Sequence, residues 1–163
     1  MSAAVQSSSR ITTGRPYLNH IMGFSNVWQP ENAAAGTSYA KYVSGVQGVS
    51  IGYIFRKGHA AELGLEISGL SNTFVGYRYY YRDPRISIWP FAGGGAGLEL
   101  AGLSLKDGPP ESDNYFGSRM MVYGTLGVVI PLVDVGLKAE IRFNFYGGDR
   151  LVLTQGLGAT IFF

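Results

Sequence analysis

The chain has 163 residues, room for one domain, and no cysteine, which excludes a disulfide framework and a thiolate metal site. Charged residues make up 15% of it, too few to cover a water-facing exterior, and a net charge of +2 gives no footprint for nucleic acid. Twenty-four glycines and 13% aromatics supply enough small and apolar surface to exclude a disordered chain.

The N-terminal MSAAVQSSSR has no basic region followed by an apolar core, so residues 1–15 read as a flexible segment of a mature sequence. From residue 16 to 163 the alternation is period two, the signature of strands with one apolar face. PYLNHIMGFSNV makes a first strand, 16–27, with alternation too weak to orient His20; its default role is membership of an interior hydrogen-bond network. The second, 41–55, sets Val49, Ile51, Tyr53 and Phe55 against Ser50, Gly52 and Ile54, and ends in a Lys57-Gly58-His59 turn that leaves His59 solvated. The third, 60–71, opposes Ala61, Leu63, Leu65 and Ile67 to Glu62, Gly64, Glu66 and Ser68. The fourth, 73–82, opposes Val75, Tyr77, Tyr79 and Tyr81 to Phe74, Gly76, Arg78, Tyr80 and Arg82, before an Asp83-Pro84 turn.

The fifth strand, 85–103, sets Ile86, Ile88, Ala92, Ala96, Leu98 and Leu100 against Trp89, Phe91, Gly93, Gly95, Gly97 and Glu99. Pro90 cannot donate a ladder bond, so a bulge or an unpaired N–H is expected there. The GGGAG run at 93–97 is not a phosphate loop, because no Lys-Ser/Thr follows it and no helix opens after it. The sixth strand, 119–131, follows a long polar loop and carries Val122, Leu126, Val128 and Ile130 outward. Its uncharged run is too short, and too interrupted by Pro131, for a membrane helix. The seventh, 134–146, alternates most clearly: Val135, Leu137, Ala139, Ile141, Phe143 and Phe145 against Gly136, Lys138, Glu140, Arg142, Asn144 and Tyr146. The eighth, 150–163, keeps Leu151, Leu153, Leu157, Ala159, Ile161 and Phe163 in phase.

Eight strands with tight gaps after the second, fourth and sixth, and long gaps at 28–40 and 104–118, predict a closed antiparallel up-and-down transmembrane β-barrel of the all-β class. A soluble barrel would carry Lys and Glu on its outer face. Here the face opposite the apolar one holds Gly, Ser, Asn and a balanced set of charges: Glu62, Glu66, Glu99 and Glu140 against Arg78, Arg82, Lys138 and Arg142. These eight are the expected ion-pair network of a side-chain-filled lumen, with Tyr80, Trp89, Phe91 and Tyr123 as fillers beside the glycines. Aromatics divide into two rims: Tyr53, Phe55, Tyr77, Tyr79, Tyr81, Trp89, Phe91 and Phe163 near the tight turns, and Phe24, Trp28, Tyr39, Tyr42, Tyr115, Phe116, Phe143, Phe145 and Tyr146 near the other.

The pattern from 16 to 163 resembles the small eight-stranded bacterial outer-membrane barrels of the outer-membrane protein A and X type. Its last strand, with Leu157, Ala159, Ile161 and Phe163, resembles their terminal assembly signal. The resemblance implies an integral protein of a Gram-negative outer membrane, in contact with its lipids, inserted by the barrel assembly machinery through the strand ending in Phe163, and monomeric. PFAGGGAGLELAG and GLKAEIRFNFYGG also resemble the lipid A deacylase barrels, in which the strand matching 138–146 carries a His and a Ser two residues apart on the lipid face. The matching positions here hold Arg142 and Asn144, neither a general base nor a nucleophile. With two scattered histidines, no catalytic residues, cofactor or metal site are expected. The expected function is a structural or loop-presenting, non-enzymatic barrel whose loop partner is unknown; the alternatives are a narrow channel or lipid-binding barrel, and an envelope-lipid-modifying enzyme.

Overall fold

The computed structural model describes residues 14–31, 38–83, 85–100, 119–132, 134–147 and 150–163, with backbone only at 29–31 and 38–42. The expected segment 1–15 and the aromatics Tyr39, Tyr42, Tyr115 and Phe116 lie wholly or mainly outside that description. Eight strands form, β1 (Arg15–Glu31), β2 (Ser38–Arg56), β3 (His59–Ile67), β4 (Asn72–Tyr80), β5 (Trp89–Glu99), β6 (Met120–Pro131), β7 (Val135–Tyr146) and β8 (Arg150–Phe162). Each pairs antiparallel with its sequence neighbour, and β8 returns to β1 to close the ring. Closure leaves no sheet edge, which a hydrocarbon surrounding requires.

The register fixes the shape of the ring. The row leaving β1 at Leu18 passes through Ile51, Leu63, Val75, Ala96, Val122, Phe145 and Leu151, and re-enters β1 at Trp28. That is a stagger of ten residues per circuit, which inclines the eight strands by roughly 40° to the barrel axis.

Alternation places apolar side chains outward: Phe24, Ile51, Leu63, Val75, Leu126, Leu137 and Leu157 are all exposed on the outer wall. No charged residue among the described side chains faces outward between the two rims, so this exterior suits hydrocarbon and not water. The lumen is packed. Toward the rim of the β2–β3 turn sit Tyr17, Ile54, Ala60, Tyr80, Trp89, Phe91, Val129 and Phe162. Toward the opposite rim sit Val27, Leu70, Phe74, Met121, Tyr123, Tyr146 and Val152.

Inward glycines make room for these rings. A Cβ at Gly52 would collide with the ring of Tyr17, at Gly64 with Phe74, and at Gly127 with Phe91, each aromatic being the glycine's direct cross-strand partner.

The structure corrects several expectations. β3 ends at Ile67, because Ser68–Ser71 turns on itself: the Ser68 hydroxyl donates to Leu70 O (2.9 Å) and Gly69 N to Ser44 Oγ (2.9 Å). β5 begins at Trp89, because Arg85 N and its guanidinium bind the Asp83 carboxylate and hold 83–86 in a turn. The β4–β5 connection is therefore residues 81–88, longer than the tight turn expected. Conversely, β1 and β2 remain paired out to Glu31↔Ser38, shortening the expected 28–40 gap to 32–37. The rims thus differ in length mainly through the β5–β6 connection, 100–119.

No bulge forms at Pro90. It is the second residue of β5, faces outward, and accepts from Tyr81 N at 2.8 Å, so the missing donor falls at the strand's start. The register shift lies instead between Ile54 and Arg56 of β2. Trp89, Phe91 and Tyr146 are not rim anchors; parity turns all three into the lumen.

Candidate functional site

The chemistry of this molecule is concentrated at mid-lumen, where inward positions of β3, β4 and β7 bring six charged side chains together. Arg78 on β4 reaches Glu62 on neighbouring β3 (2.9 Å) and crosses the lumen to Glu140 on β7 (3.0 Å). Arg142 does the reverse from β7, holding Glu140 on its own strand (2.9 Å) and Glu66 across the lumen (3.2 Å). Lys138 completes the set on Glu140. Three carboxylates face three cations, all buried, so no net charge is left in the low-dielectric interior.

Neutral groups satisfy the remaining oxygens. Thr125 donates to Glu140 Oε1 (2.9 Å), Thr154 to Glu66 Oε1 (3.2 Å), and the Tyr17 hydroxyl and Asn19 amide to Glu62 Oε2 (3.1 and 3.2 Å). Rings cap the cations: Arg78 lies 4.6 Å from the Phe91 centroid, and Arg142 lies 4.1 Å from Phe74 and 5.0 Å from Tyr123. The ionic layer therefore lies between the two apolar clusters, and its ion pairs run both along the wall and across the lumen.

Of the eight charged residues expected to form one network, the structure brings six together. Glu99 stands apart near the long-loop rim, 3.8 Å from Arg150, and Arg82 lies over Trp89 (4.9 Å) at the other rim. Arg150 was not anticipated because it opens its strand, where alternation has no preceding residue to set its phase. Tyr17, Asn19, Thr125 and Thr154 were also missed as members; the inward parity of Thr125 and Thr154 was legible, that of Tyr17 and Asn19 on the weakly alternating first strand was not, and no pattern says which inward neutral group reaches which carboxylate.

The two positions matched to the deacylase pair, Arg142 and Asn144, are buried in the lumen and not on the lipid face. Arg142 is committed to Glu66 and Glu140. His59 is not a solvated turn residue: it starts β3 on the outer wall, shares a hydrogen bond with the Tyr77 hydroxyl, and packs against Phe55 and Tyr79. His20 faces outward, between Val49 and Ala159, and takes no part in the interior network. Among the described residues no three of His, Cys, Asp and Glu group to hold a metal ion.

A closed eight-stranded wall, an apolar exterior and an ionic, ring-capped interior define an integral transmembrane β-barrel of the bacterial outer-membrane type. No protein-family model and no curated protein sequence matches the chain. Among solved structures, the chain is similar to Neisserial surface protein A (TM-score 0.70, 14% identity, covering 91% of this chain and 97% of that one). It is also similar to the N-terminal β-barrel domain of Pseudomonas aeruginosa OprF (TM-score 0.57, 14% identity, 90% and 97%). A designed transmembrane β-barrel matches at TM-score 0.59 and 11% identity, covering 93% and 98%. At such identities the likeness is one of fold alone.

Proposed function

We propose that the protein is a non-enzymatic barrel whose filled lumen braces the wall and whose 100–119 connection is offered to a partner outside the membrane. The observation that carries the reading is the three-against-three charge layer crossing the lumen between two apolar clusters. Such an arrangement ties opposite strands together and leaves no continuous polar path for ions. The closed ring makes one chain a complete membrane-spanning unit, surrounded by outer-membrane lipid. Its assembly is assigned to the barrel assembly machinery acting on β8 and the following Phe163, where Leu157, Ile161 and Phe163 present an apolar outer face.

Planar-bilayer recording tests the sealed lumen. Reconstituted protein should give no steady single-channel steps, and steps that change with Glu66→Gln would overturn the reading in favour of a narrow channel. The enzymatic alternative is tested by mass spectrometry of lipid A from cells with and without the protein. A mass shift that depends on its expression would overturn the non-enzymatic reading.

A further inference from the structure

The outer wall is not uniformly apolar. Four polar side chains lie on it without a hydrogen bond to any described residue: His20 and Asn26 on β1, Gln47 on β2 and Gln155 on β8. They occupy three adjacent strands. Among the described residues the outward faces of β6 and β7 carry no polar side chain, His59 at the start of β3 is bonded to the Tyr77 hydroxyl, and Thr73 on β4 is satisfied by donating to Gly64 O (3.1 Å). An amide or imidazole left in hydrocarbon without a partner is costly, and gathering four of them in one sector demands a polar counterpart inside the membrane.

The register says what counterpart fits. Gln47 pairs with Met22 on one side of β1, and Gln155 pairs with Phe24 on the other. Because each row climbs ten residues in eight strands, stepping forward to β2 raises a residue and stepping back to β8 lowers it. The two glutamines therefore come within about 2 Å of the same membrane depth, flanking β1 symmetrically. A two-fold axis along the membrane normal, passing beside β1, superposes this sector on itself. It sets Gln47 of each copy against Gln155 of the other, as an isologous contact requires.

The relief is self-complementary too. Met22 and Phe24, the latter 65% exposed, form a ridge, and beside it runs a groove lined by Gln47 and Ile67 with Gly45 as its floor. A Cβ at Gly45 would meet nothing within 4 Å, so the ridge of one copy can seat in the groove of the other. We infer that the β8–β1–β2 sector is a lateral docking surface for a second copy of this chain, closed by two reciprocal Gln47–Gln155 contacts.

The chain has no native cysteine, so introduced thiols report the contact directly. Gln47→Cys and Gln155→Cys proteins, made separately and mixed in phospholipid vesicles, should give an oxidised 47–155 dimer well above 47–47, 155–155, or a Val75→Cys and Leu98→Cys control pair on β4 and β5 at the far wall. Energy transfer between labelled copies in vesicles should weaken roughly tenfold in the Gln47→Leu/Gln155→Leu double variant, as expected for losing two intramembrane amide contacts. Heat-modifiable migration of that variant should be unchanged, since both substitutions face lipid. A 47–155 yield no higher than the control pair, or undiminished energy transfer in the double variant, overturns the proposal. Purified wild-type protein that stays monomeric at high protein-to-lipid ratio also overturns it, and would assign the sector to a different membrane partner.

Discussion

Arg142 holds two carboxylates at once, one on its own strand and one across the lumen, and the Phe74 and Tyr123 rings, themselves in edge contact, pack against its guanidinium. Arg142→Ala leaves Glu66 buried with only the neutral donors Thr154 and Asn72, and such an uncompensated charge costs about 3–5 kcal/mol. Urea unfolding in lipid vesicles should register that loss. The double change Arg142→Met/Glu66→Gln should recover part of it, because the two positions are coupled and the pair can be replaced by neutral groups.

At the rim, Arg85 holds the Asp83 carboxyl below its ordinary value of 3.8 through side-chain and backbone hydrogen bonds. A carboxylate with a lowered folded value helps the turn at pH above the ordinary range and loses that help as pH falls through the lowered one. An NMR titration should find the Asp83 midpoint below 3.8 in the native protein and closer to it in Arg85→Ala, which removes the guanidinium bonds and keeps the backbone donor.

At the scale of the strand, β5 is the informative element. Gly93, Gly95 and Gly97 face inward, and a Cβ at Gly95 would strike Val75 O and Gly76 Cα of β4, which are backbone and cannot step aside. Gly124 on the outward face of β6 has nothing within 4 Å of the same construction. Gly95→Ala should therefore cut the yield of folded, heat-modifiable barrel severely, whereas Gly124→Ala should fold like the native chain. The contrast separates glycines that permit close coiling of the wall from glycines that merely leave its surface smooth. β7 shows the opposite economy: its inward face holds Lys138, Glu140, Arg142, Asn144 and Tyr146, the polar spine that β3 and β4 answer.

For the whole molecule, inside and outside are exchanged relative to a soluble barrel, and the two tryptophans report it. Trp89 is buried in the lumen, while Trp28 lies on the outward parity of β1 near the other rim. Brominated acyl chains should quench Trp28 in a Trp89→Phe protein and leave Trp89 bright in a Trp28→Phe protein. Equal quenching of both would mean that lipid reaches the lumen or that the wall is open. The ten-residue stagger and the cross-lumen ion pairs belong to this scale as well, since neither exists until β8 meets β1.

Period-two alternation by itself determined the number of strands, their antiparallel order, and the side of the wall taken by Leu137, Ile141, Glu140 and Arg142. A strand's parity is a local property, and a shift of one residue would expose every charge to lipid. Local pattern could not place what depends on ends and on partners across the ring. The end of β3 at Ile67 and the start of β5 at Trp89 were set by serine and Asp83 hydrogen bonds that compete with the ladder. His20 escaped orientation because β1 mixes polar and apolar residues on both faces, and only pairing with Val49 and Ala159 turned it outward. Which carboxylate meets which cation was decided by tertiary structure alone, because Arg78 and Glu140 are distant in sequence and meet only when the closed ring sets β4 opposite β7.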